Sequence, residues 1–321
     1  MKIAIIGAGL AGLTLARSLS DAHEISVFEK ARGPGGRMST RRADPFAFDH
    51  GAQYFTAATD EFQAFLAEMS ALGLVEEWPK DIVLHGGAKV SRNPKYVAVP
   101  GMNALCKHLA SGLDLHTQVQ AQNLERTAQG WTFQDKDGRE YGPFDWVLSS
   151  APAVQTSALF PENLAGQNAL RSVEMSGCFS LMLGFEAALD VPWSAIKSAT
   201  SPVGWMAVNS AKPNRPTPYA VTIQSSNAWA DEHLEDAPES VSALLLDAAS
   251  ELAETDLSGA THQDLHRWRY AATPKAANLP FLWDEDKQLA ACGDWCLGTK
   301  VEAAFRSGSA LADRILSLPK T

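Results

Sequence analysis

The first twelve residues constrain the fold more than any other part of the chain. Lys2–Ile6 is a short apolar run rich in β-branched residues, which predicts a buried strand. Gly7-Ala8-Gly9-Leu10-Ala11-Gly12 follows it and opens a predicted helix that runs to Ser20. In such a pattern the glycines allow a tight turn, a close approach of backbone to a pyrophosphate, and close packing of helix on strand. Phosphate is favoured there by the free N–H groups and positive dipole end of the helix. We therefore expect a dinucleotide site, and the alternative is a purely structural glycine-rich turn.

The next segment supports the same interpretation. A second predicted strand, Glu24–Phe28, ends at Glu29, where the adenosine ribose hydroxyls need a carboxylate acceptor. A second glycine-rich loop follows at once, and its sequence is Lys30-Ala31-Arg32-Gly33-Pro34-Gly35-Gly36-Arg37-Met38. A plain nicotinamide dehydrogenase has no use for another phosphate-facing loop at this point, which favours a flavin dinucleotide.

This second loop resembles the Gly-Gly-Arg stretch that follows the ribose-binding glutamate in the flavin amine oxidase superfamily. The resemblance implies that Lys30, Gly35, Gly36, Arg37 and Met38 wrap the pyrophosphate of FAD, with Arg37 as a charge-assisted donor. It also implies that the small residues of the segment Gly51-Ala52-Gln53-Tyr54 pass close to the isoalloxazine ring. His50 precedes this tight turn, and we expect it to satisfy backbone groups, with a role as catalytic base as the alternative.

Further along the chain, the resemblance places backbone of Val119 against adenine. Gln288–Trp295 is predicted to be the last buried strand, and its Gly293-Asp294 pair is expected to contact the ribityl chain and the pyrophosphate. A helix over Val301–Leu316 follows, and Val301, Glu302 and Ala303 in its first turn are expected at the flavin C2 carbonyl. Both ends of the chain would thus meet on one cofactor, held without a covalent link.

The predicted fold class is α/β, with two domains. A Rossmann-type FAD-binding domain is expected from residues 1–58, 96–152 and 281–321, and a substrate domain from residues 59–95 and 153–280. Helices are predicted over Thr59–Gly73, with an apolar stripe from Phe62 to Leu72, and over Pro238–Ala253. Alternating strands predict that the substrate domain is a mostly antiparallel sheet; they are Cys178–Glu186, Val203–Asn209, Tyr219–Ser225 and His262–Ala271.

Taken together, the motifs GAGLAGLTLA, FEKARGPGGRMSTRR, FDHGAQYFT, HRWRYA and CGDWCLGTKVEAAFRSG most resemble the bacterial renalase-like family. That resemblance implies oxidation of 2- and 6-dihydro-NAD(P) isomers to NAD(P)+, with O2 reduced to hydrogen peroxide. Flavin N5 would be the hydride acceptor, and no side chain is expected to be catalytic. By analogy, the substrate-contacting residues are Phe55, Ala57, Thr59, Tyr96, Trp268 and Glu302.

Trp268 shares one face of its strand with His266 by the period of two, and it lies either in the pocket wall or in the core. Two rival functions stay open at this stage. One is an amine or polyamine oxidase of the same fold, and the other is a non-catalytic binding module stabilised by FAD.

Composition excludes several other classes of function. The chain has 321 residues, a formal charge of −10 and a pI near 5.3, which argues against nucleic acid or an anionic membrane as partner. Neither an export signal nor a membrane span is recognisable, so we expect a cytoplasmic protein whose four cysteines are free or buried thiols. Cys292 and Cys296 are four positions apart, but the sequence has no second Cys/His pair at zinc spacing, so no metal site is expected.

Overall fold

The structure is a computed structural model that describes residues 1–78, 81–216 and 218–319. The strands of the first half are β1 (Lys2–Ile6), β2 (Glu24–Glu29), β3 (Thr40–Ala43), β4 (Phe46–Asp49), β5 (Val75–Glu77), β6 (Ile82–His85), β7 (Tyr96–Ala98), β8 (Asp114–Thr117), β9 (Gln122–Thr127), β10 (Gly130–Gln134), β11 (Glu140–Phe144) and β12 (Trp146–Ser149). Those of the second half are β13 (Glu174–Phe185), β14 (Ala195–Ser198), β15 (Val203–Val208), β16 (Tyr219–Ser225), β17 (His262–Lys275), β18 (Leu282–Asp284) and β19 (Leu289–Ala291). The α-helices are α1 (Leu10–Leu19), α2 (Asp60–Ala71), α3 (Asn103–Ala110), α4 (Ala153–Leu159), α5 (Gln167–Ser172), α6 (Asn227–Glu232), α7 (Pro238–Ala253), α8 (Asp294–Leu297) and α9 (Val301–Leu316).

The described chain forms two compact units, each discontinuous in sequence. Unit 1 comprises Met1–Gly36, Cys106–Glu174 and the described part of Thr273–Thr321, and unit 2 comprises the described parts of Arg37–Leu105 and Met175–Ala272. The bounds of these units are defined by which residues pack together. The bounds expected from the sequence were instead defined by which segments bind FAD. The domain bounds given above therefore stay a prediction.

Unit 1 is built on a six-stranded sheet in the order β18-β19-β12-β1-β2-β8. The pairs from β19 through β8 are parallel, and β18 pairs with β19 antiparallel at one edge. Strand β1 lies inside this sheet, which explains why its residues are apolar on both faces. A separate three-stranded sheet has the order β11-β10-β9. The predicted Rossmann-type organisation is confirmed.

Unit 2 is built on a six-stranded sheet in the order β17-β13-β16-β15-β14-β6. The pairs β13–β16, β16–β15 and β15–β14 are antiparallel, and β14–β6 is parallel, so the expected mostly antiparallel sheet is confirmed. Helix α7 has the predicted bounds, with Pro238 in its first turn where a missing N–H costs nothing.

The two faces of the unit 2 sheet carry different residues, as the period of two in a strand requires. Phe179, Leu181 and Leu183 of β13 face a core that α7 completes with Val241 and Leu245. On the opposite face, Met182 packs against Phe46 and Phe48 of β4, and a Cβ on Gly184 would lie 2.7 Å from the Phe46 ring. The β3–β4 hairpin therefore covers the face that α7 leaves open.

Three predictions about local structure were wrong. The last strand ends at Ala291 and not at Trp295, because Asp294 already begins the short helix α8. Leu72 was expected in the apolar stripe of α2, but it is the C-cap residue and is 55% exposed. Helix α2 is also shorter than predicted at both ends. It spans Asp60–Ala71, with Thr59 as its N-cap and Gly73 beyond its C-cap.

Within the described residues, no helix is long and apolar enough to cross a membrane. The same residues contain no group of three or more metal-ligating side chains that could hold an ion.

Candidate functional site

The glycine loop of unit 1 has the close contacts that its sequence pattern requires. Gly7 adopts a φ of +107°, which side-chain-bearing residues rarely reach, and it leads into α1, whose N-cap is Gly9. A Cβ on Gly12 would collide with the carbonyl oxygen of Gly7 and the hydroxyl of Ser150. Leu10 and Ala11 are buried in the first turn of α1. The loop is thus held by backbone packing that leaves no space for a side chain at Gly12.

Glu29 lies at the end of β2, directly beside this loop. Its carboxylate is buried and accepts hydrogen bonds from Ala8 N–H at 2.9 Å and Ala31 N–H at 2.8 Å. A carboxylate has about four lone-pair sites, so two backbone donors leave acceptor capacity for hydroxyl groups. Val119 lies next to it, because its N–H donates to the Glu29 carbonyl at 2.9 Å. Burial, reinforced by the charge of Glu29, raises the pKa of the Cys106 thiol to about 12.

The second glycine loop lies against the first. Gly35 N–H donates to the Ala8 carbonyl at 2.9 Å, and a Cβ on Gly36 would lie 3.5 Å from Cα of Gly9. Lys30, at the start of this loop, is exposed and its Nζ lies 3.3 Å from Gln155 Oε1. Two glycine-rich backbones therefore meet at the N-terminus of α1, where a helix favours binding of phosphate.

The C-terminal elements complete unit 1. Gly293 N–H donates to the Ser307 hydroxyl at 3.0 Å, and that hydroxyl donates to the Pro280 carbonyl at 2.6 Å. Asp294 is buried at the start of α8. Helix α9 has the predicted bounds, with Val301 half-buried and Glu302 and Ala303 buried in its first turn. Gly308 packs so closely on α1 that a Cβ there would collide with the Ala11 carbonyl.

The residues of unit 1 fit a dinucleotide. A Cβ built on Gly9 would meet no heavy atom of the described residues within 4 Å, so the space above the α1 N-terminus is open. The α1 N–H groups could donate to a pyrophosphate there, and the Glu29 carboxylate could accept from ribose hydroxyls, so these two contacts stay predictions.

In unit 2, the segment from Asp49 to Tyr54 is tied to one face of the sheet; we call it the 49–54 segment. The carbonyl oxygen of His50 accepts from the Ser180 hydroxyl at 2.6 Å and from Trp268 Nε1–H at 2.8 Å. The carbonyl oxygen of Gly51 accepts from Gln224 Nε2 at 2.6 Å. Three strands, β13, β16 and β17, thereby fix the path of this segment.

The same segment is held to Arg37. Ala52 N–H donates to the Arg37 carbonyl at 2.8 Å, and a Cβ on Gly51 would collide with that carbonyl. Met38 is buried beside Arg37, and Nη1 of Arg37 lies 3.5 Å from the Ala271 carbonyl. The tight approach explains why residue 51 is glycine.

A buried ionic cluster lies at the start of the 49–54 segment. The Asp49 carboxylate has no exposed surface, and its Oδ2 accepts from Lys212 Nζ at 3.3 Å and from Arg215 Nη2 at 2.7 Å. Its Oδ1 accepts from the Thr40 hydroxyl at 2.7 Å and Met102 N–H at 3.0 Å. Burial alone would raise the pKa of Asp49, but the two cations and these donors hold it at about 2.

Lys212 is the unusual member of this cluster. Its ammonium also donates to Gln53 Oε1 at 3.1 Å and lies 5.2 Å from the centre of the Trp78 ring. Burial lowers the pKa of Lys212 to about 8, because the nearby Asp49 carboxylate only partly offsets the loss of solvation.

An aromatic cluster lies on the other side of the 49–54 segment. The His50 imidazole stacks on Trp268 with ring centroids 5.1 Å apart, and it meets His266 edge-on at 4.9 Å. Burial, with help from Arg41, lowers the pKa of His50 to about 3 and that of His266 to about 4. Both imidazoles are therefore neutral at pH 7.

The remaining residues expected to contact substrate have identifiable structural surroundings. Phe55 is buried between Phe62 and Tyr96, and its backbone pairs with that of Tyr96. Thr59 caps α2 through its side chain, which accepts from Phe62 N–H. Tyr54 packs on Trp205 at 5.1 Å, and Ala57 is half-buried. Contact of these residues and Trp268 with substrate stays a prediction.

Sequence reasoning missed four side chains that hold the 49–54 segment: Ser180, Gln224, Lys212 and Arg215. Ser180 carried a usable signal, because it is a polar residue inside the apolar run of β13. The run Ala211–Pro216 carried none, since a lysine, an arginine, an asparagine and two prolines are typical of a solvated loop.

Comparisons with known proteins agree with this arrangement. Residues 5–69 match the family model of the NAD(P)-binding Rossmann-like domain, and residues 78–316 match that of the flavin containing amine oxidoreductases. A 52-residue stretch is 52% identical to 4,4'-diapophytoene desaturase of Staphylococcus aureus. That match spans only 16% of this chain and 10% of the desaturase.

Solved structures share the fold at low sequence identity. A putative protoporphyrinogen oxidase from Exiguobacterium sp. 255-15 matches with a TM-score of 0.76 and 10% identity over 98% of both chains. Cyclohexylamine oxidase from Brevibacterium oxydans IH-35A matches with a TM-score of 0.73 and 13% identity, over 98% of this chain and 99% of that one. The second family model covers most of the sequence and the glycine cradle fits a dinucleotide, so the chain belongs to the flavin containing amine oxidoreductase family, whose members bind FAD.

Proposed function

We propose that this flavoprotein oxidises 2- and 6-dihydro-NAD(P) isomers to NAD(P)+. FAD, which the N-terminus of α1 and Glu29 would hold, would supply a two-electron acceptor for the hydride, and O2 would be the final oxidant, reduced to hydrogen peroxide. The protein residues bind and orient the donor, since alignment of the donor carbon contributes more to hydride transfer than proton removal does. No side-chain base is required, because the nicotinamide product is already a charged aromatic ring.

The observation that carries this proposal is the charge around the 49–54 segment of unit 2. Lys212 and Arg215 share the single carboxylate of Asp49, so one positive charge is in excess when Lys212 is protonated. The Arg41 guanidinium is paired with Asp264 at 2.9 Å and therefore adds no net charge. A buried positive charge opposes a cationic amine and favours a donor that carries phosphates.

The neutral imidazoles of the aromatic cluster support the same choice. With pKa values held near 3 and 4 by burial, His50 and His266 are neutral at pH 7, so they can pack against an uncharged dihydronicotinamide ring and leave the charge of the site to the ionic cluster. Trp268 offers an aromatic wall whose Nε1–H is already used by the His50 carbonyl. The predicted substrate contacts at Phe55, Ala57, Thr59, Tyr96, Trp268 and Glu302 belong to this proposal.

The second candidate is an amine oxidase. It is favoured by the family model over residues 78–316 and by a fold shared with cyclohexylamine oxidase. The two functions differ in the charge of the donor, so a direct comparison of donors separates them.

The test is anaerobic mixing of the FAD-loaded protein with single donors. We expect the flavin to bleach with 2- or 6-dihydro-NAD(P) and to stay oxidised with putrescine or cyclohexylamine, and admission of air should return the colour with formation of hydrogen peroxide. Bleaching by amines alone would establish the second candidate. A flavin that no donor reduces would instead indicate a binding module without this activity.

We further propose that FAD is held without a covalent bond. Thioether formation needs a thiolate, and burial raises the pKa of Cys292 well above its usual value and that of Cys296 to about 12. Denaturation followed by filtration should release all the yellow colour into the filtrate, and colour retained on the protein would overturn this point.

A further inference from the structure

We propose that Lys212 is a positioning residue that sets the geometry of the 49–54 segment through the side-chain amide of Gln53. Lys212 Nζ lies 3.1 Å from Gln53 Oε1, and Gln53 Nε2 in turn lies 2.5 Å from the Asp49 carbonyl oxygen and 3.2 Å from that of Gly51. Lys212 and Gln53 are 159 positions apart in sequence, so this contact joins the loop after β15 to the segment after β4.

The chemistry of the two side chains determines which end of the Gln53 amide faces Lys212. An ammonium group has three donors and no acceptor, so it orients the carbonyl end of the Gln53 amide towards itself. The amide then directs its NH2 group at the two backbone carbonyls. Without the ammonium, the amide loses the partner that distinguishes its two ends. The Asp49 and Gly51 carbonyls would then lose a donor that is fixed in place.

Both side chains of this contact are buried, which makes a lost hydrogen bond hard to replace. The Lys212 side chain has no exposed surface, and Gln53 is 5% exposed, so water cannot readily replace a lost donor. The Arg215 guanidinium is a second cationic partner of the Asp49 carboxylate, at 2.7 Å. The contact of Lys212 with Gln53 therefore gives Lys212 a role apart from the ion pair with Asp49.

The consequence for the flavin rests on the FAD assignment and on the resemblance that places this segment at the isoalloxazine ring, but not on the identity of the donor. A segment whose carbonyls are fixed presents one constant set of dipoles to the ring. A segment with a rotating Gln53 presents several, which broadens and shifts the absorption bands of bound flavin.

The experiment compares Lys212→Met, Lys212→Arg and Gln53→Leu in the FAD-loaded protein. The matched control is Lys197→Met, which removes a lysine of strand β14 in the same unit whose Nζ donates to the Lys89 carbonyl at 2.7 Å. The first readout is amide hydrogen exchange at Ala52, whose N–H is bonded to the Arg37 carbonyl, with the Phe55 amide as internal reference. The second readout is the visible spectrum of the bound flavin.

We expect Lys212→Met to speed exchange at Ala52 by about tenfold relative to Phe55, which corresponds to the loss of one hydrogen bond. It should also shift the flavin bands, and Lys212→Arg should restore part of both effects because it keeps a donor. Gln53→Leu leaves the ionic cluster intact and should reproduce both effects, so the inference remains testable if Lys212→Met does not fold. The double variant should add little to either single change, because both act through one contact.

Two results would overturn the inference. One is a Lys212→Met protein with the wild-type spectrum and wild-type exchange at Ala52 and merely a lower melting temperature. The other is full additivity of Lys212→Met and Gln53→Leu. Wild-type protein that binds no FAD would contradict the cofactor assignment instead, and exchange at Ala52 would still decide the role of Lys212.

Discussion

The hydroxyl of Ser150 donates to the carbonyl oxygen of Gly7 at 2.9 Å, and this bond ties the turn after β1 to the end of the neighbouring strand β12. The same hydroxyl also donates to the Ile6 carbonyl at 3.2 Å. Gly12 packs against the Gly7 carbonyl and the Ser150 hydroxyl, so the first turn of α1 is held against the ends of two parallel strands. The geometry of the nucleotide cradle therefore depends on the absence of a side chain at residue 12.

The first prediction concerns Gly12→Ala. Even a methyl group would collide with the Gly7 carbonyl and the Ser150 hydroxyl, so α1 must move away from the strands. Overpacking of this kind costs about 1–3 kcal/mol, and the displaced helix N-terminus should bind pyrophosphate poorly. We expect purified Gly12→Ala protein to carry little FAD, measured as the ratio of flavin to protein absorbance.

Gly259→Ala is the matched control for this variant. Gly259 lies outside both glycine-rich loops and a Cβ there meets nothing of the described residues within 4 Å, so its flavin content should equal that of wild type. A Gly12→Ala protein that stays fully yellow would show that the pyrophosphate lies elsewhere.

The second prediction concerns Glu29→Gln. The glutamine keeps the shape of the side chain but turns one acceptor into a donor, which would face Ala8 N–H or Ala31 N–H. Hydrogen bonds to charged groups contribute about 1.5–3 kcal/mol, so FAD should bind about ten- to hundredfold more weakly by calorimetric titration. Glu24→Gln, at the exposed start of the same strand, should bind FAD as wild type does. Equal affinities for the two variants would remove Glu29 from the ribose site.

The sequence predicted the fold wherever the signal was local. Helix α7 begins at Pro238 and α9 at Val301, as predicted, because helix periodicity and terminal residues act over a few positions. The glycine cradle was predictable for the same reason. The contacts of Asp49 with Lys212 and Arg215 join positions more than 160 apart, and nothing in the loop near residue 212 indicates burial. Such pairings depend on the register of the whole unit 2 sheet.

The third prediction follows from this distant pairing. Asp49→Asn removes the charge that Lys212 and Arg215 share and leaves two cations buried without a carboxylate. Removing one partner from a buried ion pair costs about 3–5 kcal/mol. Urea denaturation should show a loss of that size in the free energy of unfolding. Asp190→Asn, at an exposed position of the same unit, should change it by less than about 0.5 kcal/mol. A small loss in Asp49→Asn would mean that the cluster is solvated.

The fourth prediction is a pH dependence of stability that originates in Lys212. Its pKa in the folded protein is lowered to about 8 by burial, with the Arg215 charge acting in the same direction and Asp49 opposing it. An unfolded lysine titrates near about 10.4. Between these two values the unfolded chain binds a proton that the folded chain does not, so this residue makes the free energy of unfolding rise with pH. Below pH 8 both states are protonated, and above about 10.4 both are neutral, so no slope arises outside the window.

Lys212→Met isolates this component. The difference in unfolding free energy between wild type and variant should grow in favour of wild type from pH 8 to about 10.4, by up to about 3 kcal/mol. The measurement is urea denaturation at several pH values, with Lys197→Met as the control that should run parallel to wild type. If the Lys212→Met curve also runs parallel to wild type across this window, the ammonium is solvated in the folded protein. That result would contradict the buried contacts of the Lys212 ammonium with Gln53 and with the face of the Trp78 ring.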